Sequence, residues 1–406
     1  MKIVYVVHQF YPKYCSGTES VTYQLANMAQ IAGHRVAVVA YQPDNDIQSA
    51  QKYKGIRYAR HMYKKLSITE CCHQHLPLDI TYSVENSRML SFAKMYLNKE
   101  KPDIVHVTHL MRVAPFIQAA KDLGIPCVVT LTDATAICPR IALLDKFGAV
   151  CKGCDKGERC KSVCNELHDY ALRLQTVRSL LEGTELLAAP SRYLAETIGK
   201  ELGLDIQVYP HGLDMTSIKR NADEDRDCQT IRMGWFGSLV EHKGLELVLR
   251  AMKTVKASNL RLDIYGSGTK EYEKYLRTMS ENDERIVWNG WKSKNEVYEA
   301  YSSLDVVIVS SICNESFSLA KNEAISWGIP VIVSNLGALP ENIEHEIDGF
   351  VFDPFNEDEL GEILQAISQQ PELIKQMAVR TSTKTVLSIE QEFFRYQSVY
   401  LDSIGC

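Results

Sequence analysis

SSICNESFSLAKNEAISWGIPVIVSNLGALP, residues Ser310–Pro340, is the stretch that decides how the rest of this chain is interpreted. It begins at the end of an apolar run, Asp305–Ser310, that is typical of a buried strand, and it continues into a segment with helical character. Two carboxylates, Glu315 and Glu323, lie in it with seven residues between them. Ligands of α/β proteins bind at the carboxyl edge of the sheet, where the first amides of a helix favour an anion. The stretch therefore predicts a site for a phosphorylated ligand.

Strand and helix patterns alternate on both sides of this stretch. The first half offers the strand-like segments KIVYVV, HRVAVVAY, KPDIVHV and IPCVVTL, and the second half offers IRMGWFG, LRLDIYG, RIVWNGW and IPVIVSN. Two successive sets of such units in 406 residues predict an α/β protein with two doubly wound domains facing across a cleft. We expect the domains to span residues 1–209 and 210–385, and residues 386–406 to form a helix that packs back on the first domain.

The composition is that of an ordinary globular protein, with 45% hydrophobic and 24% charged residues. No apolar run reaches the roughly 18 residues of a membrane span, and the first residues turn polar too soon for a signal sequence, so we expect a cytoplasmic protein. Residues 1–207 carry 25 Lys and Arg against 20 Asp and Glu, whereas the remainder carries 20 against 31. The basic half suits an anionic acceptor or a peripheral contact with a membrane, although a solvated face explains it equally well. No tract resembles a nucleic-acid-binding arm.

Candidate ligand-binding residues of the first half follow its predicted strands. Gly17 and Thr18 lie in a loop just before a helix, where a phosphate is favoured, although Gly17 also suits an ordinary turn. The loop lacks the GxGxxG pattern, so NAD is not inferred. His109 and Asp133 come at the ends of two later strands and are expected at the same sheet edge. His109 suits an acceptor site and a strand cap about equally.

Five of the twelve cysteines fall within one segment, residues 138–164: they are Cys138, Cys151, Cys154, Cys160 and Cys164. Cys151 and Cys154 form a CxxC pair, a spacing that lets two thiolates chelate one ion, with two further ligands drawn from the other three. The segment predicts a structural zinc ion, or else an iron–sulfur cluster. The alternative is that all five are free thiols, since stable disulfides are not expected in a reducing compartment.

Several of these segments together resemble a known family. They are the SGTE loop at Ser16, KPDIVHVTH, PSRYL at Pro190, PHGLD at Pro210, FGSLVEHKG at Phe236 and ESFSLAKNEAISWGIPVIVSNLGALPE at Glu315. In their order and spacing the chain resembles a GT-B fold glycosyltransferase of the retaining family 4, also called glycosyl transferases group 1. The cysteines resemble those of a subset of that family with a Cys-rich insert in the N-terminal domain.

The resemblance implies a transferase that moves a hexose-type sugar from a UDP- or GDP-linked donor to a hydroxyl of a glycan or lipid-linked acceptor. Such a reaction belongs to surface polysaccharide or glycoconjugate synthesis. It implies that the N-terminal domain takes the acceptor and the C-terminal domain the nucleotide sugar, with no catalytic metal. The implied catalytic residues are Glu315, Lys243, His109 and Asp133. The implied donor-binding residues are Gly17, Thr18, Gly237, Ser238, Lys243, Phe317, Ser318, Leu319 and Glu323.

Three positions differ from the usual family pattern. Ser238 stands where an Arg is usual before the Lys243 loop, Thr132 stands where a His commonly precedes Asp133, and Ser318 stands where Gly is frequent. These differences leave a second hypothesis open, namely a non-catalytic homologue that binds a nucleotide sugar or glycan. A third hypothesis is a metal- or redox-responsive regulator built on the cysteine segment.

Overall fold

The computed structural model describes residues 1–44, 46–77, 79–164, 169–215 and 230–405. The chain divides into two units. The N-terminal unit comprises Met1–Gly212 together with Leu387–Cys406, and the C-terminal unit comprises Leu213–Val386. The sequence placed the corresponding boundaries at residues 210 and 386. None of the described helices is both long enough and apolar enough to cross a membrane.

Fifteen strands and twelve α-helices are numbered here in chain order over the described residues. The strands are β1 Lys2–Val7, β2 Arg35–Tyr41, β3 Gln51–Tyr53, β4 Ile56–Tyr63, β5 Leu66–His73, β6 Ile104–Val107, β7 Cys127–Thr130, β8 Leu186–Ala189, β9 Gln207–Val208, β10 Ile231–Phe236, β11 Leu260–Tyr265, β12 Ile286–Gly290, β13 Val306–Val309, β14 Val331–Ser334 and β15 Gly349–Phe352. The helices are α1 Gly17–Ile31, α2 Ser87–Glu100, α3 Pro115–Asp122, α4 Tyr170–Leu181, α5 Arg192–Leu202, α6 Leu245–Thr254, α7 Lys270–Met279, α8 Lys294–Ser302, α9 Leu319–Ser326, α10 Glu359–Gln369, α11 Glu372–Thr381 and α12 Ile389–Ser403.

The N-terminal unit is built on a nine-stranded sheet in the order β3-β4-β5-β2-β1-β6-β7-β8-β9. From β5 to β9 neighbouring strands are parallel, and the central strands are buried on both faces, as the continuous apolar runs predict. Because β1, β6 and β7 are parallel and adjacent, their carboxyl ends meet at one edge of the sheet. The residues that follow these three strands are thereby brought together.

The strands β3 and β4 extend this sheet in a way that the sequence analysis did not foresee. No strand was predicted between HRVAVVAY and KPDIVHV, whereas β4 is antiparallel to both β3 and β5. Two-residue turns join them: Lys54 and Gly55 have φ of 44° and 85°, and Lys64 and Lys65 have φ of 43° and 71°. Turns in which both central residues are left-handed match the twist of a β-hairpin. Such turns usually contain glycine, so the Lys64-Lys65 pair does not predict one.

The C-terminal helix α12 belongs to the N-terminal unit and packs beside α1. Its Tyr400 hydroxyl lies 2.6 Å from Nδ1 of the buried His106, whose Nε2 lies 2.8 Å from the Thr130 hydroxyl. Burial lowers the pKa of His106 to about 3, so the ring is neutral and accepts one hydrogen bond while donating another. Polar as well as apolar contacts therefore attach α12 to the sheet of this unit.

The C-terminal unit contains a six-stranded parallel sheet in the order β12-β11-β10-β13-β14-β15. Its core lies between the sheet and the helices on its two faces, with β13 and β14 fully buried. The order reverses between β10 and β13, which lie side by side although two βα units separate them along the chain. Such a reversal opens a crevice at the carboxyl ends of the strands, and ligands of doubly wound sheets bind there.

Candidate functional site

The loop after β13 holds the first carboxylate of the decisive stretch at this crevice. Glu315 precedes α9, since the helix begins only at Leu319. Gly337 follows β14 with φ of 61°, and a Cβ there would lie 2.4 Å from the carbonyl oxygen of Glu315 and 2.5 Å from its nitrogen. The Ala338 amide donates to that carbonyl at 2.8 Å. Only glycine allows the two loops to approach so closely, so Gly337 fixes the backbone of Glu315.

Lys243 reaches the same loop from the turn after β10. Its Nζ lies 2.5 Å from Oε1 of Glu315, and the Ser311 hydroxyl donates to the same oxygen at 2.6 Å. Burial alone would raise the pKa of Glu315, but Lys243 and Ser311 outweigh it and lower that pKa. The pair is therefore charged, and the Lys243 side chain is 32% exposed. A cation so placed can also meet a ligand phosphate.

Glu323 lies one helical turn into α9 and has a different environment. The Tyr301 hydroxyl donates to its Oε2 at 3.0 Å, and the ring of Phe236 stacks on Tyr301 with centroids 4.5 Å apart. Burial raises the pKa of Glu323, and the Tyr301 hydrogen bond opposes that effect only in part. A half-buried carboxylate with one oxygen engaged can accept hydrogen bonds from ligand hydroxyls on the other.

The remaining predicted donor-binding residues of this unit surround the two carboxylates. Ser318 caps α9 from a left-handed backbone conformation, with φ of 67°, and its hydroxyl accepts from the Lys321 amide at 3.3 Å. Phe317 and Leu319 flank it at the helix N-terminus. The Gly237 amide already donates to Tyr265, whereas Ser238 is exposed at the end of β10. The structure thus brings all of these residues to one sheet edge, as the sequence predicts.

Two residues that sequence reasoning missed support this site. Lys321 is buried, and its Nζ donates to the carbonyls of Ala338, Leu339 and Glu341. Burial lowers the pKa of Lys321 to about 8. Lys321 therefore ties α9 to the loop that contains Gly337. The other is Tyr301, for which the sequence offers no signal, because it comes from a separate helix.

In the N-terminal unit, the residues after β1, β6 and β7 form a second group. Nε2 of His109 lies 2.7 Å from Oδ2 of Asp133, while Nδ1 of His109 accepts from the Met111 amide at 3.0 Å. The second contact assigns the ring proton to Nε2, which donates to the carboxylate. Burial alone would raise the pKa of Asp133, but His109 and Thr135 lower it to about 2. The predicted proximity of His109 and Asp133 is thus realised as a direct hydrogen bond.

His8, the first residue after β1, joins this pair although the sequence analysis passed over it. Its ring stacks on His109 with centroids 3.8 Å apart, and its Nε2 lies 3.4 Å from Oε1 of the buried Glu19. Burial and the neighbouring His109 lower the pKa of His8 well below the ordinary value. The rule that selected His109 and Asp133, a polar residue directly after a central strand, would also have selected His8.

The SGTE loop is hydrogen-bonded to the residues that follow β7. Helix α1 begins at Gly17, and the Thr18 hydroxyl donates to the Thr132 hydroxyl at 3.2 Å. Thr132 in turn donates to the Thr108 carbonyl at 3.1 Å. The residue that replaces the family's usual His is therefore part of the hydrogen bonding that holds this sheet edge together.

The five cysteines of segment 138–164 are in no disulfide over the described residues. The Cys154 thiol is hydrogen-bonded to Cys160 and lies 3.2 Å from the Ile137 carbonyl, and its hydrogen bond to Cys160 and its burial both raise its pKa. The Glu201 carboxylate accepts from the amides of Cys154, Asp155 and Lys156 and so organises the loop. Over the described residues, no three His, Cys, Asp or Glu side chains are placed to hold a metal ion. The structure does not support the expected zinc ion or iron–sulfur cluster, which stays a prediction.

Comparison with known proteins agrees with this architecture. Residues 225–383 match the family model described as glycosyl transferases group 1, and residues 15–217, half of the chain, match the model for glycosyltransferase family 4. The chain is similar to the crystal structure of Anabaena HepE in complex with UDP, with a TM-score of 0.73 and 14% identity over 99% of this chain and 100% of that one. The fold is GT-B. The chain belongs to glycosyltransferase family 4.

Curated relatives match shorter regions. An uncharacterized glycosyltransferase of Methanocaldococcus jannaschii is 35% identical over 31% of this chain and 33% of its own length. A D-inositol 3-phosphate glycosyltransferase of Corynebacterium glutamicum is 28% identical over 37% of this chain and 38% of its own. The chain thus spans well under two thirds of the length of these relatives.

Proposed function

We propose that the protein is a retaining glycosyltransferase that moves a hexose-type sugar from a UDP- or GDP-linked donor to a hydroxyl of a glycan or lipid-linked acceptor. We place it in surface polysaccharide or glycoconjugate synthesis. The observation that carries the proposal is the charged pair of Lys243 and Glu315 at the same sheet edge as the half-buried Glu323. Family membership supports it, and structures of similar fold contain UDP or UDP-glucose.

The C-terminal unit would bind the nucleotide sugar. Glu323 would accept hydrogen bonds from the ribose hydroxyls through the carboxylate oxygen that Tyr301 leaves free. The amides at the start of α9 would meet the diphosphate, because a helix N-terminus attracts anions. Lys243 would then neutralise the diphosphate as its negative charge grows on departure, while Glu315 holds Lys243 in place and supports the donor sugar. This chemistry calls on no catalytic metal.

In this proposal the anomeric configuration is retained because the acceptor oxygen attacks the sugar on the same face that the diphosphate leaves. The acceptor oxygen forms the new bond to the anomeric carbon as the bond to the diphosphate breaks, and the acceptor proton passes to a phosphate oxygen. The hydrogen bond between His109 and Asp133 would orient the acceptor-side groups of the N-terminal unit.

Donor binding tests the proposal directly. Calorimetry with a panel of UDP- and GDP-sugars should identify one donor with micromolar affinity, and Glu323→Gln should weaken it about 10- to 100-fold. Glu362→Gln is a matched control, because Glu362 is an exposed carboxylate of the same unit. Nuclear magnetic resonance of the sugar released by slow donor hydrolysis should show the donor's own anomeric configuration first. A panel with no binder, or equal binding by both variants, would refute the proposal.

A binding protein without transferase activity is the second candidate, and Ser238 favours it. This residue is exposed at the end of β10, where the usual family pattern has a cation for the phosphates. Micromolar donor affinity combined with neither hydrolysis nor transfer would select this candidate.

A metal- or redox-responsive regulator is the third hypothesis. It draws on five thiols in one segment, of which Cys138, Cys154 and Cys160 are buried. Metal analysis and the visible spectrum of anaerobically purified protein would reveal zinc, iron or neither, and the absence of both would exclude the metal form of this hypothesis.

A further inference from the structure

Arg112 lies in the loop between β6 and α3, three residues beyond His109. Its side chain is half-buried, yet over the described residues its guanidinium makes no hydrogen bond or ion pair. Burial lowers the pKa of Arg112, which remains charged at neutral pH. Within the described residues, no Arg112 nitrogen is among the buried polar atoms that lack a hydrogen-bond partner, so its donors are accessible to solvent. Arg112 therefore presents an accessible cation with unused donors at the edge of the sheet.

Arg112 has a strained backbone conformation, and its side chain lies over an aromatic ring. Its φ is 67°, in the left-handed region that residues with a Cβ adopt only at a steric cost. Its guanidinium lies 5.6 Å from the centroid of the Tyr41 ring, and the Tyr41 hydroxyl is fixed 2.9 Å from Nδ1 of His73. The surrounding structure thus places this cation and keeps its hydrogen-bond donors unused.

The carboxylate in electrostatic range of Arg112 is already engaged elsewhere. Asp44 lies 2.7 Å from Lys13 and accepts from the Tyr14 hydroxyl at 2.7 Å. Arg112 also acts on His8, whose pKa it lowers together with burial and His109. Nδ1 of His8 and Oε1 of Gln42, which follows β2 at the same sheet edge, are buried and have no hydrogen-bond partner within the described structure. A solvent-accessible guanidinium with unused donors and two buried polar atoms without a hydrogen-bond partner therefore occur in one region.

We infer that Arg112 binds an anionic oxygen group, a phosphate or a carboxylate, of the acceptor. The planar guanidinium can donate two parallel hydrogen bonds to such a group, and ligand hydroxyls can satisfy His8 and Gln42. This inference rests on the proposed function, which it deepens by assigning the acceptor a negative charge.

Calorimetry on protein saturated with UDP isolates this site from the nucleotide site. Glucose 6-phosphate or glucuronate should bind at least about tenfold more tightly than glucose, and Arg112→Gln should weaken the anionic probe about 10- to 100-fold. Arg112→Lys keeps the charge but not the paired donors, so its affinity for the anionic probe should lie between those of the parent protein and Arg112→Gln. Arg35→Gln is the matched control, because Arg35 is exposed at the opposite end of the strands. Thermal unfolding should show Arg112→Gln as stable as the parent protein; a lower melting temperature would instead mark a structural cation.

A second arm separates a soluble acceptor from a lipid-linked one. Vesicles of phosphatidylcholine with and without polyprenyl phosphate are sedimented with the parent protein and with Arg112→Gln. Binding that requires both polyprenyl phosphate and Arg112 identifies a lipid-linked phosphate, and binding of the sugar anions alone identifies a soluble one. The inference is overturned if no anionic probe is preferred, or if Arg112→Gln binds every probe as the parent does. UDP affinity, measured on the same proteins before they are saturated with UDP, reports separately on the proposed function.

Discussion

The two groups of candidate residues differ in how their charges are satisfied. In the C-terminal unit, Lys243 and Glu315 neutralise each other, and Tyr301 donates to Glu323. In the N-terminal unit, His109 and Asp133 form a similar pair, but over the described residues Arg112 makes no hydrogen bond or ion pair, and Nδ1 of His8 has no hydrogen-bond partner. The first group, which we propose as the donor site, satisfies its own charges without a ligand. The second group, which we propose as the acceptor site, leaves specific polar groups for a ligand to satisfy.

The largest effect is expected from Lys243→Met. The substitution removes the cation proposed to neutralise the leaving diphosphate, so turnover should fall about 10²- to 10³-fold. It also leaves Glu315 buried without its partner, which should cost about 3 kcal/mol in the free energy of unfolding. Rates of donor hydrolysis and urea denaturation measure the two effects.

A double substitution separates these effects. Lys243→Met with Glu315→Gln should recover most of the stability, because no unpaired charge remains, but none of the turnover. Lys253→Met is the control, since Lys253 is an exposed cation of the same unit. Recovery of turnover along with stability would show that the pair is structural.

Glu323 should make donor binding depend on pH. Burial raises its pKa, so protonation on acidification removes the carboxylate at a higher pH than for an ordinary Glu. Donor affinity should therefore fall as the pH is lowered through this raised pKa, and calorimetry on Glu323→Gln should give a weak affinity with a flatter profile.

Ionisation of Glu323 should favour donor binding but lower the stability of the donor-free protein. A raised pKa in the folded state means that folding favours the protonated acid, so ionised Glu323 lowers the stability of the donor-free protein at neutral pH. Glu323→Gln should therefore unfold at the same or higher urea concentration than the parent at pH 7. A variant that lost both affinity and stability would indicate a packing role for Glu323.

In the N-terminal unit, ionised Asp133 should stabilise the fold, in contrast to ionised Glu323. Its pKa is lowered from 3.8 to about 2, so the ionised form is favoured by folding. The resulting stability, on the order of 2 kcal/mol, is present above about pH 4 and is lost as the pH falls toward 2. Asp133→Asn should lose this stability at pH 7 and flatten the acid limb of a urea-denaturation series. Equal acid sensitivity in the variant would show that His109 does not stabilise the carboxylate.

The sequence was sufficient to predict the alternating strands and helices of both units, because buried parallel strands have a simple apolar pattern. The runs at β1, β6, β10 and β14 are apolar because parallel strands are covered on both faces, and the residues directly after them locate the site. The hairpin of β4 and β5 was missed because Lys64 and Lys65 adopt left-handed conformations, which lysine rarely adopts. Tertiary context, rather than local propensity, determines such turns.

Contacts between distant segments could not be predicted from the sequence either, because they also depend on tertiary structure. Tyr301 reaches Glu323 from another helix, and the stacking of His8 on His109 depends on the register of β1 against β6. The spacing of the cysteines indicated a metal site because CxxC pairs often chelate. In the structure the loop around Cys154 is organised by Glu201 instead, a residue on α5 that no cysteine pattern includes.

The smallest effect is expected at Thr132, where the chain differs from its family. Thr132→Ala removes the hydrogen bonds to the Thr108 carbonyl and the Thr18 hydroxyl, which should cost about 1 kcal/mol in the free energy of unfolding. Donor affinity should change little, because Glu323 and Lys243 are untouched. Thr278→Ala, at an exposed threonine of α7, is the control for urea denaturation and calorimetry. A large loss of donor affinity in Thr132→Ala would show that the two groups of residues are not independent, and the contrast between an organised donor site and an unsatisfied acceptor site would then have to be abandoned.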